Sequence, residues 1–256
     1  MPRLNQLFSP ASLPIDYTRY ADPTNICHGK VVGDCFHGDL SSDKEVLVLG
    51  DSHAAMLNKF FDYLGRELHF KARIITASSC VTIQDFDIER LPSWAQTPCL
   101  LQIEEAQQYV GSAKTIILAG MWSYQLESEK FKRVLSDFVR VTEEKNKNLL
   151  ILSQVPELES NPTRALRFMH LGLPYSKSIS KDNALEQHYF NDLVLMHKNL
   201  TIANFRDLPI FEQLPFSKSS IIYMDSSHLN EVGAIEYAKQ AKVEISKFFR
   251  DLDENE

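Results

Sequence analysis

The fold follows from one stretch of the sequence, EVLVLGDSHA at residues 45–54. Its first six residues form a short apolar run that ends in glycine, a pattern typical of a buried strand. Glycine lets the chain turn sharply, and residues 53–68 carry apolar side chains at helical spacing. The stretch therefore predicts a strand, a turn and a helix, with Ser52 at the N-terminus of that helix.

Apolar runs of the same kind recur downstream and alternate with helical patterns. Further strands are predicted at 72–77, 115–120, 149–153 and 200–203, and further helices at 131–145, 183–196 and 231–250, the last with Asn230 as its N-cap. Such alternation favours a mostly parallel sheet with helices on both faces. We predict an α/β fold of three α/β/α layers, with residues 45–256 as one domain and residues 1–44 as an irregular N-terminal arm that packs on it.

Composition and charge narrow the class of protein. The chain has 256 residues, 44% of them hydrophobic and 24% charged, which is close to the average of globular proteins. Its 27 Lys and Arg against 34 Asp and Glu give a net charge of −7. We expect no nucleic-acid partner, because nucleic-acid binding draws on a basic surface. No run reaches the roughly 18 apolar residues of a membrane span, and residues 1–6 lack the apolar core of a signal peptide.

Ser52 follows the first strand of the predicted sheet. In an open parallel sheet, ligands bind beyond the carboxyl ends of the strands, and a helix N-terminus at that place favours an oxyanion. A serine hydroxyl becomes a good nucleophile only when a base takes its proton. Serine and aspartate are also the usual helix-capping residues, so Gly50-Asp51-Ser52 by itself leaves a capping role open.

A candidate base lies near the other end of the chain, in the segment YMDSSHLN at residues 223–230. Asp225 precedes His228 by three residues, so its carboxylate can hold the imidazole Nδ1–H and leave Nε2 free to accept a proton. Such a pair is common, and an incidental histidine in a turn is the alternative when the pair is taken alone. The pair becomes specific only in combination with the serine motif.

Gly-Asp-Ser directly after the first strand, with Asp-x-x-His before the last helix, resembles the SGNH (GDSL-like) hydrolase family. The match rests on the motifs, their positions and their order. No Gly-x-Ser-x-Gly occurs that would favour the α/β-hydrolase template. The resemblance implies a flavodoxin-like topology, with Ser52 as nucleophile, His228 as general base and Asp225 as the acid that orients it.

The family stabilises the tetrahedral oxyanion with the nucleophile's own N–H, a glycine N–H after the second strand and an asparagine side chain after the third. Here the first donor belongs to Ser52, Ser79 lies in a second segment without glycine, and Trp122 stands where asparagine is expected. A backbone donor needs no particular side chain, so Ser79 stays a candidate. The indole N–H of Trp122 is a donor, although this side chain can equally shape the acceptor site or pack at the strand end. Loss of one oxyanion donor can lower the rate by about 10²–10³-fold. The missing glycine and asparagine therefore put efficient hydrolysis in question, and not the fold.

The variant motifs are similar to those of the SGNH domain fused C-terminally to acyltransferase family 3 membrane proteins. They lie at residues 49–54, 78–80, 118–122 and 225–229. The resemblance implies an O-acetyltransferase that relays an acetyl group through a serine acyl-enzyme to a hydroxyl of a cell-surface polysaccharide such as lipopolysaccharide O-antigen. It further implies that the partner is a membrane acyltransferase domain in the same chain, which would use acetyl-CoA as the acyl donor. This domain itself would need no cofactor and would be the periplasmic soluble part of an inner-membrane protein.

Two other functions share the same sequence features. One is a free-standing carbohydrate O-acetyl esterase with the same three residues, which would yield free acetate instead of an acetylated sugar. The other is a non-catalytic saccharide-binding domain that retains the fold. Because Ser52, Asp225 and His228 are all present, the catalytic interpretations are favoured over the binding domain.

Four cysteines, Cys27, Cys35, Cys80 and Cys99, lie in the first hundred residues. A zinc site is disfavoured because Cys-x₇-Cys is not a standard ligand spacing, and we expect no metal. Four cysteines allow three disulfide connectivities, and buried free thiols are a further alternative. The family carries cysteines in similar places, which favours the pairs Cys27–Cys35 and Cys80–Cys99.

Overall fold

The computed structural model describes residues 14–20, 27–30, 34–174 and 184–253. Within these residues a seven-stranded sheet forms the centre of the molecule. Its strands are β1 (Cys27–His28), β2 (Phe36–Gly38), β3 (Glu45–Gly50), β4 (Lys71–Thr76), β5 (Thr115–Ala119), β6 (Asn148–Leu152) and β7 (Leu200–Ala203). The order across the sheet is β1-β4-β3-β5-β6-β7, and each neighbouring pair along this path is parallel. The order β4-β3-β5-β6-β7 is the flavodoxin-like arrangement, which confirms the predicted fold class.

The described part of the chain also contains nine α-helices. They are α1 (Ile15–Thr18), α2 (Ser52–Ala55), α3 (Asn58–Leu68), α4 (Ser93–Val110), α5 (Trp122–Gln125), α6 (Glu129–Glu144), α7 (Pro162–His170), α8 (Ala184–Met196) and α9 (Glu231–Asp253). Two 3₁₀ turns (Ile88–Arg90 and Pro209–Phe211) and a small hairpin of β8 (Phe216–Ser217) and β9 (Ser220–Ile221) complete the elements. In this part of the chain, no helix combines the length and the apolar character that crossing a membrane requires.

Alternate residues of each strand face opposite sides of the sheet, and helices cover both sides. Val46 and Val48 belong to one apolar core, which α3 and α9 complete. Leu47 and Leu49 belong to the other core, which α4, α6 and α8 complete. A strand that is buried on both faces has a continuous apolar sequence, which is why β3 is identifiable from the sequence alone.

The predicted strands and helices all occur, most with ends within one or two residues of the prediction. The helix predicted over 53–68 is interrupted at Met56 and Leu57, so α2 and α3 are separate. The longer helices α4 and α7 and the short helices α1 and α5 are missing from the prediction. In α4 the buried side chains are small or polar, as at Ala95, whereas Trp94 is 67% exposed. No apolar stripe therefore marks this helix in the sequence.

The arm predicted over residues 1–44 contributes strands to the sheet instead of being irregular throughout. β4 pairs with β3 along one edge, and its other edge is shared by β2, opposite residues 71–73, and β1, opposite residues 75–76. These two strands have three and two residues, too few to show a period-2 pattern, so pairing with β4 sets them. The rest of the arm, residues 1–13, 21–26 and 31–33, lies outside the described residues.

A disulfide joins Cys80 to Cys99, the pair that the family resemblance implies. It ties the loop after β4 to helix α4, and both cysteines are fully buried. Cys35 is disulfide-bonded as well, while the side chain of Cys27, its predicted partner, lies outside the described residues. The Cys80–Cys99 disulfide therefore fixes the loop that carries Ser79.

Candidate active site

β3 ends where the order of the strands reverses, because the chain passes from it to β4 on one side and later to β5 on the other. Such a switch point is the usual ligand site of an open α/β sheet. Gly50 is the last residue of β3, and a Cβ there would lie 1.8 Å from the carbonyl oxygen of Ala119. Only glycine fits between the ends of β3 and β5, and Ser52 opens α2 directly after this close approach.

Helix α2 is capped by Asp51 and not by Ser52. The Asp51 carboxylate accepts the N–H of His53 at 2.8 Å, which satisfies a donor of the first turn. The hydroxyl of Ser52 contacts the ring of His228 instead, with Oγ 2.8 Å from Nε2. The capping alternative for Ser52 therefore does not hold in this structure.

Asp225 binds the other nitrogen of the His228 ring, with Oδ2 2.9 Å from Nδ1. A carboxylate at that place holds the proton on Nδ1, so the hydroxyl of Ser52 donates to Nε2. Asp225 also accepts the backbone N–H groups of Ser227 and His228, each at 2.8 Å. Burial opposes the charge of Asp225, but the hydrogen bond and the charge of His228, together with these N–H groups, hold its pKa at about 2. The carboxylate is therefore ionised at neutral pH.

Hydrogen bonds anchor both ends of the loop that carries Asp225 and His228. Before it, the hydroxyl of Tyr223 donates to a backbone carbonyl of the segment after β6 at 2.6 Å. After it, Asn230 caps α9 by accepting a backbone N–H at 2.8 Å, which confirms the predicted N-cap. Two segments that lie 176 residues apart in the sequence thus meet in one hydrogen-bonded chain, Ser52–His228–Asp225.

Asp51 joins three of the loops at this edge of the sheet. Besides the N–H of His53, its buried carboxylate accepts the N–H of Met121 at 2.9 Å and the side-chain amide of Gln125 at 2.8 Å. The same amide donates to the carbonyl of Ser79 at 3.2 Å. Burial raises the pKa of Asp51, and these hydrogen bonds oppose the rise. The segments after β3, β4 and β5 are therefore tied to one carboxylate next to Ser52.

Comparison with known proteins assigns this chain to a family. A family model described as the SGNH domain (fused to AT3 domains) matches residues 19–242. The chain belongs to this family. The lipopolysaccharide acetyltransferase periplasmic domain of Salmonella ser. Paratyphi A has the same fold, with a TM-score of 0.65 and 14% identity over 92% of this chain and 98% of that chain. A putative platelet activating factor from Streptococcus pneumonia gives a TM-score of 0.46 at 17% identity over 79% of this chain and 84% of that chain. The comparison with curated proteins finds no match.

The structure corrects one of the oxyanion donors expected for this SGNH domain. Trp122 is fully buried, and its indole N–H donates to the carbonyl of Leu152 at 2.7 Å. Its ring packs edge-on against Phe190. The prediction of Trp122 as an oxyanion donor is wrong, because its single donor is already used at the end of β6. Its role is the alternative one, packing at the strand end.

The other two expected donors of the SGNH domain stay predictions. Ser52 is the first residue of α2, and its backbone N–H has no acceptor among the described residues. Ser79 has a left-handed backbone, with φ of 57°, and its carbonyl is held by Gln125. Sequence reasoning missed Gln125, because it acts on a partner 46 residues away and no local pattern marks it.

A second imidazole lies against His228 in this SGNH domain. The ring centroids of His53 and His228 are 4.8 Å apart, and His53 is 2% exposed. Neither ring nitrogen of His53 has a hydrogen-bond partner among the described residues. Burial, reinforced by the charge of His228, lowers the pKa of His53 to about 3. The His53 ring is therefore neutral near pH 7.

Replacing His53 by leucine should make the SGNH domain less sensitive to acid. The folded pKa of about 3 lies below the unfolded value of 6.5, so the unfolded chain binds the extra proton and stability is lost as pH falls below about 6.5. At about 1.4 kcal/mol per pH unit, the wild type should lose about 2 kcal/mol more than the variant between pH 6.5 and 5. Urea unfolding at a series of pH values measures this difference.

The matched control for that measurement is His188→Leu, since His188 is an exposed histidine on α8. This variant should lose stability with falling pH as steeply as the wild type does. His28, whose pKa burial lowers to about 4, contributes in the same direction in all three proteins and cancels in the comparison. Parallel stability curves for wild type and His53→Leu would contradict the assignment of a neutral buried ring.

Proposed function

We propose that this SGNH domain transfers an acetyl group through an ester on Ser52 to a hydroxyl of a cell-surface polysaccharide such as lipopolysaccharide O-antigen. The observation that carries the proposal is the hydrogen-bonded chain Ser52–His228–Asp225 at the switch point of the sheet. A serine paired with a base that is oriented by a third group is the arrangement required for nucleophilic catalysis. Membership of a family whose domains are fused to AT3 domains supports acyl transfer as the class of reaction.

In the first half of the proposed reaction, His228 activates Ser52. Nε2 takes the hydroxyl proton while Oγ forms a bond to the carbonyl carbon of the acetyl donor. The tetrahedral intermediate then breaks its bond to the leaving group, which takes the proton from Nε2. The acetyl group remains as an ester on Ser52, and the ionised Asp225 stabilises the imidazolium while it exists.

In the second half, His228 serves the acceptor. A saccharide hydroxyl gives its proton to Nε2 while its oxygen attacks the ester carbonyl. The bond to Oγ breaks, Ser52 recovers the proton from Nε2, and the acetylated saccharide leaves. During both steps the N–H of Ser52 faces the developing oxyanion, and we assign the N–H of Ser79 as the second donor.

The acetyl donor in this proposal reaches Ser52 from a membrane acyltransferase domain. The family description supports such a partner, because it gives SGNH domains as fused to AT3 domains. We propose that the partner draws acetyl groups from acetyl-CoA and that the SGNH domain works in the periplasm. The similar Salmonella structure is a periplasmic domain, and that likeness supports the location without extending its substrate to this chain.

Product analysis with a simple donor separates the candidate functions. The protein is incubated with p-nitrophenyl acetate and purified lipopolysaccharide, and acetyl esters on the saccharide are measured by NMR and mass spectrometry, with Ser52→Ala as the control. Acetylated saccharide that depends on Ser52 is the expected result. Free acetate as the only product would indicate an esterase, and saccharide binding that is equal in wild type and Ser52→Ala without either product would indicate a binding domain.

A further inference from the structure

The ring of Tyr20 lies flat on the ring of His228. Their centroids are 4.7 Å apart and the ring planes differ by 14°. Tyr20 lies 32 positions before the predicted nucleophile, outside the core domain that the sequence predicts from residue 45 onward. The rings of Tyr20 and His28 also make a T-shaped contact, with 6.4 Å between their centroids. An aromatic side chain from the N-terminal region therefore contacts the predicted base directly.

The segment of residues 14–20, called here the N-terminal strap, is fastened to the start of α9. Arg19 Nε donates to the carboxylate of Glu231 at 2.8 Å, and the N–H of Glu231 donates to the carbonyl of Arg19 at 3.1 Å. The side-chain amide of Asn230 donates to the carbonyl of Tyr17 at 3.4 Å. Asn230 also caps α9 directly after the His228 loop, so the strap and that loop share one anchor.

The stack restrains a movement of His228 that its hydrogen bonds resist less strongly. Bonds to Ser52 at Nε2 and to Asp225 at Nδ1 hold the ring in its own plane. They resist less strongly a displacement of the ring perpendicular to its plane, which would bend the hydrogen bond between Ser52 and Nε2. Tyr20 lies against one face at 4.7 Å, and His53 meets the ring at 4.8 Å with a tilt of 52°. The face contacts therefore supply restraint in the direction in which the hydrogen bonds are weaker.

The stack also suits the charge that His228 acquires when it takes the proton of Ser52. The face of an aromatic ring carries negative charge, and a cation placed over it is stabilised. Tyr20 presents its face to the imidazole ring, whereas His53 lies tilted against it and is itself held neutral. The stabilisation by Tyr20 thus increases when the imidazolium forms.

We propose that Tyr20 is a positioning residue for His228 and that the N-terminal strap is part of the active site. The inference rests on the proposed function, because it requires His228 to act as the base for Ser52. It adds a residue for which the serine and histidine motifs give no indication. It also predicts that His228 is a less effective base when the strap does not hold Tyr20 against its ring.

The test measures how fast a fluorophosphonate probe labels Ser52, which reports the activation of its hydroxyl by His228. Tyr20→Ala should label about 10- to 100-fold more slowly, the range that follows from small misplacements of a catalytic group. Tyr20→Phe keeps the ring and should label at nearly the wild-type rate. With p-nitrophenyl acetate, kcat of Tyr20→Ala should fall while KM changes little, since Tyr20 holds the base rather than the ester.

The matched control is Tyr109→Ala, because Tyr109 is a half-buried tyrosine whose ring packs on Arg73 and not on His228. This variant should label at the wild-type rate. Equal or faster labelling of Tyr20→Ala would overturn the inference, and faster labelling would show that the strap covers the site. A wild-type protein that the probe does not label would overturn the proposed function of Ser52, and this inference with it, which is a different result from equal rates.

Discussion

Replacing Ser52 by alanine should lower kcat for acetyl transfer and for ester hydrolysis by about 10⁶-fold, as removal of the nucleophile does in a serine protease. The hydroxyl of Ser52 contacts His228, and the cap of α2 is supplied by Asp51. The alanine variant should therefore keep its fold and its thermal unfolding midpoint while losing all labelling by a fluorophosphonate. Activity is measured with p-nitrophenyl acetate, and labelling by mass spectrometry of the intact protein.

Ser41→Ala is the matched control for the nucleophile. Ser41 is an exposed serine that hydrogen-bonds to Asp39 in the turn after β2, so its loss should leave both labelling and turnover at the wild-type level. If Ser52→Ala kept either property, the acyl-enzyme on Ser52 would be excluded. The esterase and transferase functions proposed above both depend on Ser52 as nucleophile, so neither would hold in that form.

Replacing Asp225 by asparagine should lower kcat by about 10⁴-fold, the size of the effect when the orienting acid of such a group becomes an amide. The asparagine amide would donate to Nδ1 of His228 and so leave the proton on Nε2. In that tautomer the ring cannot accept the proton of Ser52. The amide oxygen can still accept the N–H groups of Ser227 and His228 that now bind Asp225, so the loop should stay in place.

The pH dependence tests whether Asp225 acts as an ionised carboxylate. Asp225 has a pKa of about 2, so it stays ionised from pH 5 to 9, and the ratio of wild-type to variant kcat should stay large throughout that range. Asp207→Asn, a change of an exposed aspartate after β7, should keep wild-type activity. A loss of less than 10-fold in Asp225→Asn would contradict the assignment of Asp225 as the residue that orients His228.

The sequence predicts the parts of the site that depend on local pattern. The apolar run of β3 and Gly50 place Ser52 at the switch point, and the spacing of Asp225 and His228 predicts their hydrogen bond. The contact between Ser52 and His228 is not local, since 176 residues separate them. It is predictable only from the positions of the two segments in the fold. Ser52 follows the carboxyl end of β3, and His228 lies in the loop before the last helix.

Features that depend on packing between distant elements cannot be predicted from the sequence. Trp122 has a donor of the right type in the expected place, but its burial against Phe190 and its bond to Leu152 remove it from the site. The contact of Tyr20 with His228 depends on the anchor of the strap at α9, for which no periodicity or motif exists. Both depend on the final arrangement of distant elements and not on any pattern within one of them.

The separation of Ser52 and His228 along the chain has a consequence for synthesis. A ribosome adds about 5–20 residues per second, so Ser52 exists for roughly 9–35 s before the codon for His228, 176 positions later, is translated. During that time the serine is an ordinary alcohol without a base. The contact with His228 forms only when the final helix docks and brings the loop before it to Ser52. An unfinished or truncated copy therefore lacks the hydrogen bond between Ser52 and His228 that the proposed acyl transfer requires.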